Sequence, residues 1–176
     1  DPENKWLGRS PRNRLQAEML RDNALMVSGL LVPKIGGPSV RPYEVAEAFK
    51  PTKPDSGDGL YRRSLYTYWK RTAPAPVMMA LDAARRDVCS VGRDTTATPL
   101  QAFVFMNDPQ FVEAARKLAE RVWREANGDA KAACERIFRL LTSRRPNERE
   151  KRVLNELFDE QVQLFNGQPA HAREFL

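Results

Sequence analysis

The chain has 176 residues, of which 41% are hydrophobic and 30% charged, an ordinary globular composition that excludes a fibrous or wholly disordered chain. No apolar run reaches the roughly 18 residues that a membrane-spanning helix needs, so no membrane span is expected. The net charge is +6, and of the 29 basic residues 21 are Arg and 8 are Lys.

Arginine makes bidentate pairs with carboxylates, so an Arg-rich chain can spend much of its charge on internal pairing. The basic residues run from Arg9 to Arg173, interleaved with acids rather than gathered on one element, which argues against a nucleic-acid interface. The sequence begins at Asp1 without Met, and no basic region precedes an apolar stretch. That suggests a piece trimmed from a longer precursor, with no signal peptide visible. Cys89 and Cys134 allow one intramolecular pairing, and without a C-x-x-C the chain itself holds no zinc ribbon, thioredoxin chemistry or covalent haem. In an exported protein that bridge would contribute roughly 4 kcal/mol by the chain-entropy model. Two buried free thiols are the competing reading.

The periodicity predicts a helix over 12–32, with Leu15, Met19, Leu20, Ala24, Met26, Val27, Leu30 and Leu31 on a broad apolar arc. Gln16 and Asn23 fall inside that arc as core amides, Gly29 weakens the last turn, and Pro33 stops the helix. The Pro- and Gly-rich stretch 33–60 reads as a long loop with at most a helical turn around Tyr43–Phe49. Leu60 to Thr72 interleaves Tyr61, Tyr66, Tyr68 and Trp69 with Arg62, Arg63, Lys70 and Arg71. It suits a short strand or a helix, with its cations paired at the surface or its aromatics stacking on bases or sugars.

A turn-rich stretch then runs to Thr98, where Thr98-Pro99 opens a helix to Asn107 with Leu100, Phe103, Val104 and Phe105 facing inward, and Asp108-Pro109 opens the next, to about Ala126. That second helix should bury Phe111, Val112, Ala115, Leu118, Ala119 and Val122. A helix over 130–143 should bury Ile137, Leu140 and Leu141. A last one, capped by Asn147 with Glu150, carries Val153, Leu154, Leu157, Phe158 and Val162 before a tail at 166–176. The expected fold class is mainly α: a bundle-like domain over 1–165 with an irregular region at about 33–97 and at most a short strand pair.

The single histidine, His171, sits in that tail, so imidazole-based relays, zinc sites and mononuclear iron sites have no support, and no Gly-rich nucleotide cradle is present. Carboxylate chemistry survives only because Asp and Glu occur throughout the chain, with Glu18, Asp22, Asp82, Asp94 and Asp108 as the candidates.

Several strings in order resemble one family: NRLQAEMLRDNALMVSG (13–29), GGPSV (36–40), RRSLYTYWKRT (62–72), the stretch from Asp82 to Arg93 with Cys89, TPLQA (98–102) and NDPQFVEAARKLA (107–119). Together they resemble the domain of unknown function 1553, over about residues 1–165, and the segment from Arg136 to Glu150 resembles that family's helical C-terminus. The sequence departs from the family at Ala97, where Asn is usual, and at Gly92, where a basic residue is usual. The resemblance implies the C-terminal part of an exported, periplasmic or cell-surface multidomain protein of planctomycete type, often linked to a c-type cytochrome domain. The setting it implies is electron transfer or polysaccharide metabolism. No cofactor is then expected in this chain, and haem belongs to a neighbouring domain.

The polar positions matching the family's strings are Arg21, Asp22, Arg63, Arg71, Arg93, Gln101, Asn107 and Asp108, the candidate binding residues. Segments 36–40, 62–71 and 93–108 should converge near the first helix, around Gln16 and Asn23. There Arg63, Arg71 and Arg93 need anionic company, from Asp22, Asp82 and Asp108 or from a ligand such as a sulfated glycan. The leading functional reading is a non-catalytic helical module that docks onto other domains of the same precursor. The alternatives are a carboxylate–arginine hydrolase or oxidoreductase site completed by a neighbouring domain, and nucleic-acid binding through basic charge.

Overall fold

In a computed structural model the described residues are 3–8, 14–43, 53–70, 74–86, 89 and 91–175, excepting the side chains at 171, 174 and 175. They form helices α1 (Ala17–Ser28), α2 (Pro76–Ala80), α3 (Pro99–Asn107), α4 (Pro109–Glu125), α5 (Ala130–Thr142), α6 (Glu148–Gly167) and α7 (Pro169–Phe175), with 3-10 turns at Gly57–Tyr61 and Ser64–Tyr66. The fold is mainly α, as the periodicity predicts. No β-strand occurs among the described residues, and extended segments meet only at isolated bridges such as that between Val40 and Thr67. By internal packing the chain divides into unit one, Asp1–Asp22 with Pro33–Val104, and unit two, Asn23–Val32 with Phe105–Leu176.

Helix α1 corrects two expectations. Its stop is Gly29 rather than Pro33: Gly29 takes φ +80°, the Leu30 amide donates to the Leu25 carbonyl at 2.9 Å, and the Gly29 amide donates to the Met26 carbonyl at 3.1 Å. This is a Schellman closure, which needs the left-handed backbone that glycine adopts without strain. Its buried row is Ala17, Arg21, Leu25 and Ser28, and of the expected arc Val27 is buried as well, while Leu15, Met19 and Met26 are exposed, Gln16 is exposed and Asn23 half-buried. Apolar counting cannot place an arginine on the inward face, and here the inward face runs through one.

In unit one the stretch over 60–72, expected as a short strand or a helix, carries two 3-10 turns in its described part, joined to the preceding loop where the Val40 amide donates to the Tyr66 carbonyl (2.8 Å) and the Tyr68 amide to the Val40 carbonyl (2.7 Å). The turn expected around Tyr43–Phe49 falls mostly outside the described residues. Within the stretch read as turns, Pro76 at the first helical position opens the short α2.

Unit two follows its sequence signals more closely. The Asp108 carboxylate accepts from the Gln110 and Phe111 amides with Pro109 at the first position of α4, and Asp129 caps α5 in the same way through Lys131 and Ala132. Val122, fully buried, packs with Val27, Leu118 and Ala133, flanked by Ala126, Ile137 and Leu140. The inward row of α4 is Phe111, Ala114, Leu118 and Val122, so Ala115 and Ala119 turn out to be exposed, as is Leu141 of α5. Helix α6 opens with the expected capping box, yet Val153, Leu157 and Val162 of its stripe are exposed, with Leu154 and Phe158 half-buried. The expected tail is helical: α6 runs to Gly167, and Pro169 starts α7.

The α6 cap also carries a pH dependence. The Arg144 guanidinium, bound to Glu150 at 2.6 and 2.8 Å, and the Asn147 amide at 2.8 Å hold the Glu150 carboxyl down to about 2. A carboxylate with a lowered pKa stabilises the fold above the ordinary glutamate range and loses that contribution as pH falls towards the lowered value. The urea midpoint of the chain should therefore exceed that of Glu150→Gln at pH 6, with the gap closing between pH 4.5 and about 2. A gap that stays constant over that range would assign the cap to shape rather than charge.

Candidate functional site

The motif-bearing segments of unit one are held by two polar knots, the first of them on α1. The first is centred on Arg21, only 1% exposed. Its Nη1 donates to the Arg62 carbonyl at 2.9 Å and to Ser64 Oγ at 3.1 Å, and its Nη2 donates to the Leu60 carbonyl at 2.7 Å. Asp22, one residue on, accepts the Ser64 amide at 2.7 Å and stands 3.8 Å from the Arg21 guanidinium. A buried guanidinium is costly unless its donors are satisfied, and here backbone carbonyls do most of that work.

Arg62, also buried, extends the knot into the GGPSV loop. Its guanidinium donates to the carbonyls of Lys34 (3.0 Å), Gly36 (2.5 Å) and Pro38 (3.0 Å), and lies 4.0 Å from the Tyr66 ring centroid. The Tyr66 hydroxyl in turn accepts the Gly36 amide at 2.8 Å. Gly36 (φ +77°) and Gly37 (φ +87°) supply the left-handed backbone that wraps the loop around the cation.

The second knot is centred on Gln101, 3% exposed in the first turn of α3. Its Nε2 donates to Asp82 Oδ2 (3.0 Å) and Thr96 Oγ1 (3.1 Å), while its Oε1 accepts from Arg14 and, at 3.4 Å, from the Thr98 amide. Thr98 Oγ1 accepts the Gln101 amide at 3.4 Å, so Thr98 and Gln101 form a reciprocal cap. Asp82 sits at φ +64° and takes the Thr96 amide (2.7 Å) and hydroxyl as well. Burial pushes its carboxyl up, but the Thr96 and Gln101 hydrogen bonds and the Arg14 charge outweigh this and hold it below the usual aspartate value. Asp82 is thereby kept as an acceptor and is not poised to donate a proton near neutral pH.

The remaining candidate residues divide. Arg93 is taken by Glu18 (2.8 Å) and Gln16 (2.9 Å), so its anionic company is a carboxylate of α1 rather than Asp22, Asp82 or Asp108. Asp108 is the α4 cap, and Asn107 is the exposed last residue of α3. Arg63 is exposed, and Arg71 lies outside the described residues. Two of the three segments therefore reach α1 or its start: 62–71 at Arg21 and Asp22, and 93–108 at Glu18 and at Gln16 just before the helix, while 36–40 is held through Arg62 and Tyr66 instead.

The aromatic–basic stretch is internally engaged too. Arg41 lies over Tyr68 and Arg86 over Trp69, whose indole N–H donates to the Arg85 carbonyl at 2.7 Å. Sequence reasoning missed Arg62, Arg14 and Thr96 as members of these knots. The T-x-x-Q spacing of Thr98 and Gln101 was the one local signal available.

Among the described residues no group of three or more His, Cys, Asp or Glu side chains is placed to hold a metal, and no helix is long and apolar enough to cross a membrane. Two open clefts lie in unit two. One, of about 430 Å³, is lined by Glu125, Glu135, Arg136 and Arg139; the other, of about 310 Å³, by Cys134, Pro146, Lys151 and Leu154. Both cysteines stand as free thiols, with no bridge between them: Cys89 is exposed, and Cys134 is half-buried, its thiol pushed up by burial and by the Asp159 charge. Alkylation of the native, non-reduced protein should therefore label Cys89 fast and Cys134 slowly, two groups in all by mass spectrometry. A product with no label would mean a bridge.

The molecule is thus an α-helical scaffold whose irregular region is pinned to its first helix by the buried Arg21, with a second polar knot around the buried Gln101. The chain belongs to the family described as protein of unknown function (DUF1553), whose model matches residues 1–158. No curated protein and no solved structure matches it.

Proposed function

We propose that this domain is a non-catalytic interaction module that docks onto another domain of the same precursor. The carrying observation is the orientation of α3. Its buried residue is the amide Gln101, while Leu100, Phe103 and Met106, spaced three apart, are 58%, 63% and 73% exposed. Leaving such side chains in water forgoes roughly 1.5–3 kcal/mol each, and a row of them on one helix marks a surface made to be covered. The Gln101 knot holds α3 by its first turn, which suits a rigid platform better than a reacting centre.

An exported multidomain setting, in electron transfer or polysaccharide metabolism and with haem in a neighbouring domain, is what the family resemblance implies. An anionic or sulfated glycan is a lesser reading. It rests on Arg63, whose exposed guanidinium has no partner among the described residues.

Calorimetric titration of the neighbouring domain of the precursor onto this one tests the docking. Leu100→Lys with Phe103→Lys should abolish the binding heat while leaving the unfolding midpoint unchanged. Binding that survives both substitutions would sink the reading. A sulfated glycan that gives heat at low salt, lost in Arg63→Ala, would favour the lesser one.

A further inference from the structure

Helix α6 buries no residue, although it is the longest helix described. Val153, Leu157 and Leu164 are 54%, 51% and 49% exposed, and at 100° per residue they fall within about 40° of one another. Arg149, Arg152, Glu156 and Glu160 run along one side of that stripe, all exposed, and none has an ion-pair partner among the described residues. Elsewhere in unit two such charges are spent internally, as in Arg116–Glu120, Arg121–Glu125 and Arg144–Glu150.

The order of these charges is informative. That flank is basic towards the helix N-terminus and acidic from about its middle onward, so Arg149 and Arg152 sit at the end where the helix dipole disfavours cations. The pattern is also self-complementary when reversed. If a second copy of α6 lies antiparallel across a two-fold axis near Leu154 and Asn155, Arg149 faces Glu160, Arg152 faces Glu156 and Val153 faces Leu157. The three pairings centre at about residues 154.5, 154 and 155, so one axis brings each pair to within about one residue, roughly 1.5 Å of helix rise, of direct opposition. A partner of unrelated sequence would not require this symmetry, whereas an isologous interface does, because the same patch must match itself.

We propose that the α6 face is the interface of a homodimer in which two copies of this chain pair their α6 helices antiparallel. The apolar stripe supplies the contact area, and the four charges set direction and register. The inference is independent of the α3 surface.

Sedimentation equilibrium of the full chain at low salt should show a dimer that weakens as salt is raised. Arg149→Glu with Arg152→Glu places acid against acid, and Glu156→Lys with Glu160→Lys places base against base. Each double variant alone should associate more weakly by about tenfold or more. Mixed together, the two should recover the dimer, because every facing pair is then again of opposite sign. That recovery also shows that both variants are folded. A wild-type chain that stays monomeric at high concentration, a dimer indifferent to both double variants, or a mixture that fails to recover association would each overturn the proposal.

Discussion

Replacing Arg21 with Met should lower the unfolding free energy by about 3–5 kcal/mol, the range for removing one member of a buried, hydrogen-bonded charge network. The methionine fills much of the volume, so the loss is one of hydrogen bonding. The carbonyls of Arg62 and Leu60 and the Ser64 hydroxyl lose their donor, and Asp22 loses the neighbouring positive charge. For a chain of this size that corresponds to a fall in Tm of roughly 6–20 °C. Lysine should not rescue it, since an ammonium cannot present two nitrogens to three acceptors set apart in space. Arg63→Met, on an exposed arginine from the same family string, should stay within about 0.5 kcal/mol of wild type. Equal losses at Arg21 and Arg63 would remove the distinction between a pinning arginine and a solvated one.

The second large effect is expected at Arg62. Truncation to Ala withdraws the cation around which the carbonyls of Lys34, Gly36 and Pro38 are gathered, and it removes the face that covers Tyr66. The cost should be about 2–4 kcal/mol, combining lost hydrogen bonds with lost packing. It should also be local, because those carbonyls can turn to water once the loop opens. Tryptic cleavage after Lys34 reads this directly and should accelerate by about tenfold or more in Arg62→Ala. Unchanged cleavage would mean that the GGPSV loop holds its shape without the guanidinium.

What the sequence revealed and what it hid follow from range. Capping is local chemistry, so Asp108-Pro109, Asp129 and the Asn147–Glu150 box were legible or nearly so, and with them the helices of unit two. The inward row of α1 was not legible, because hydrophobic counting assigns arginine to solvent. Arg21 is inside only because acceptors 39 to 43 residues away meet it there. The same blindness applies to Gln101, whose partners Asp82 and Arg14 lie 19 and 87 residues distant. The family strings contain residues that the fold ties together, Arg21, Asp22 and Gln101 among them, but carry no sign of that role. A string of matching polar residues reads alike whether they bind a ligand or bind one another. The exposed stripes of α3 and α6 were misread as core for a related reason, since an apolar periodicity marks a face to be covered without saying by what.

The central claim is that the polar residues of these strings hold the irregular region of unit one to α1. Amide hydrogen exchange of Arg21→Met against wild type tests it most directly. The account predicts a selective loss of protection at the Ser64 amide, bound to Asp22, and at the Val40 and Tyr68 amides of the adjoining bridge, with the amides of α4 and α5 unchanged. Protection at Ser64, Val40 and Tyr68 that survives the substitution would contradict it.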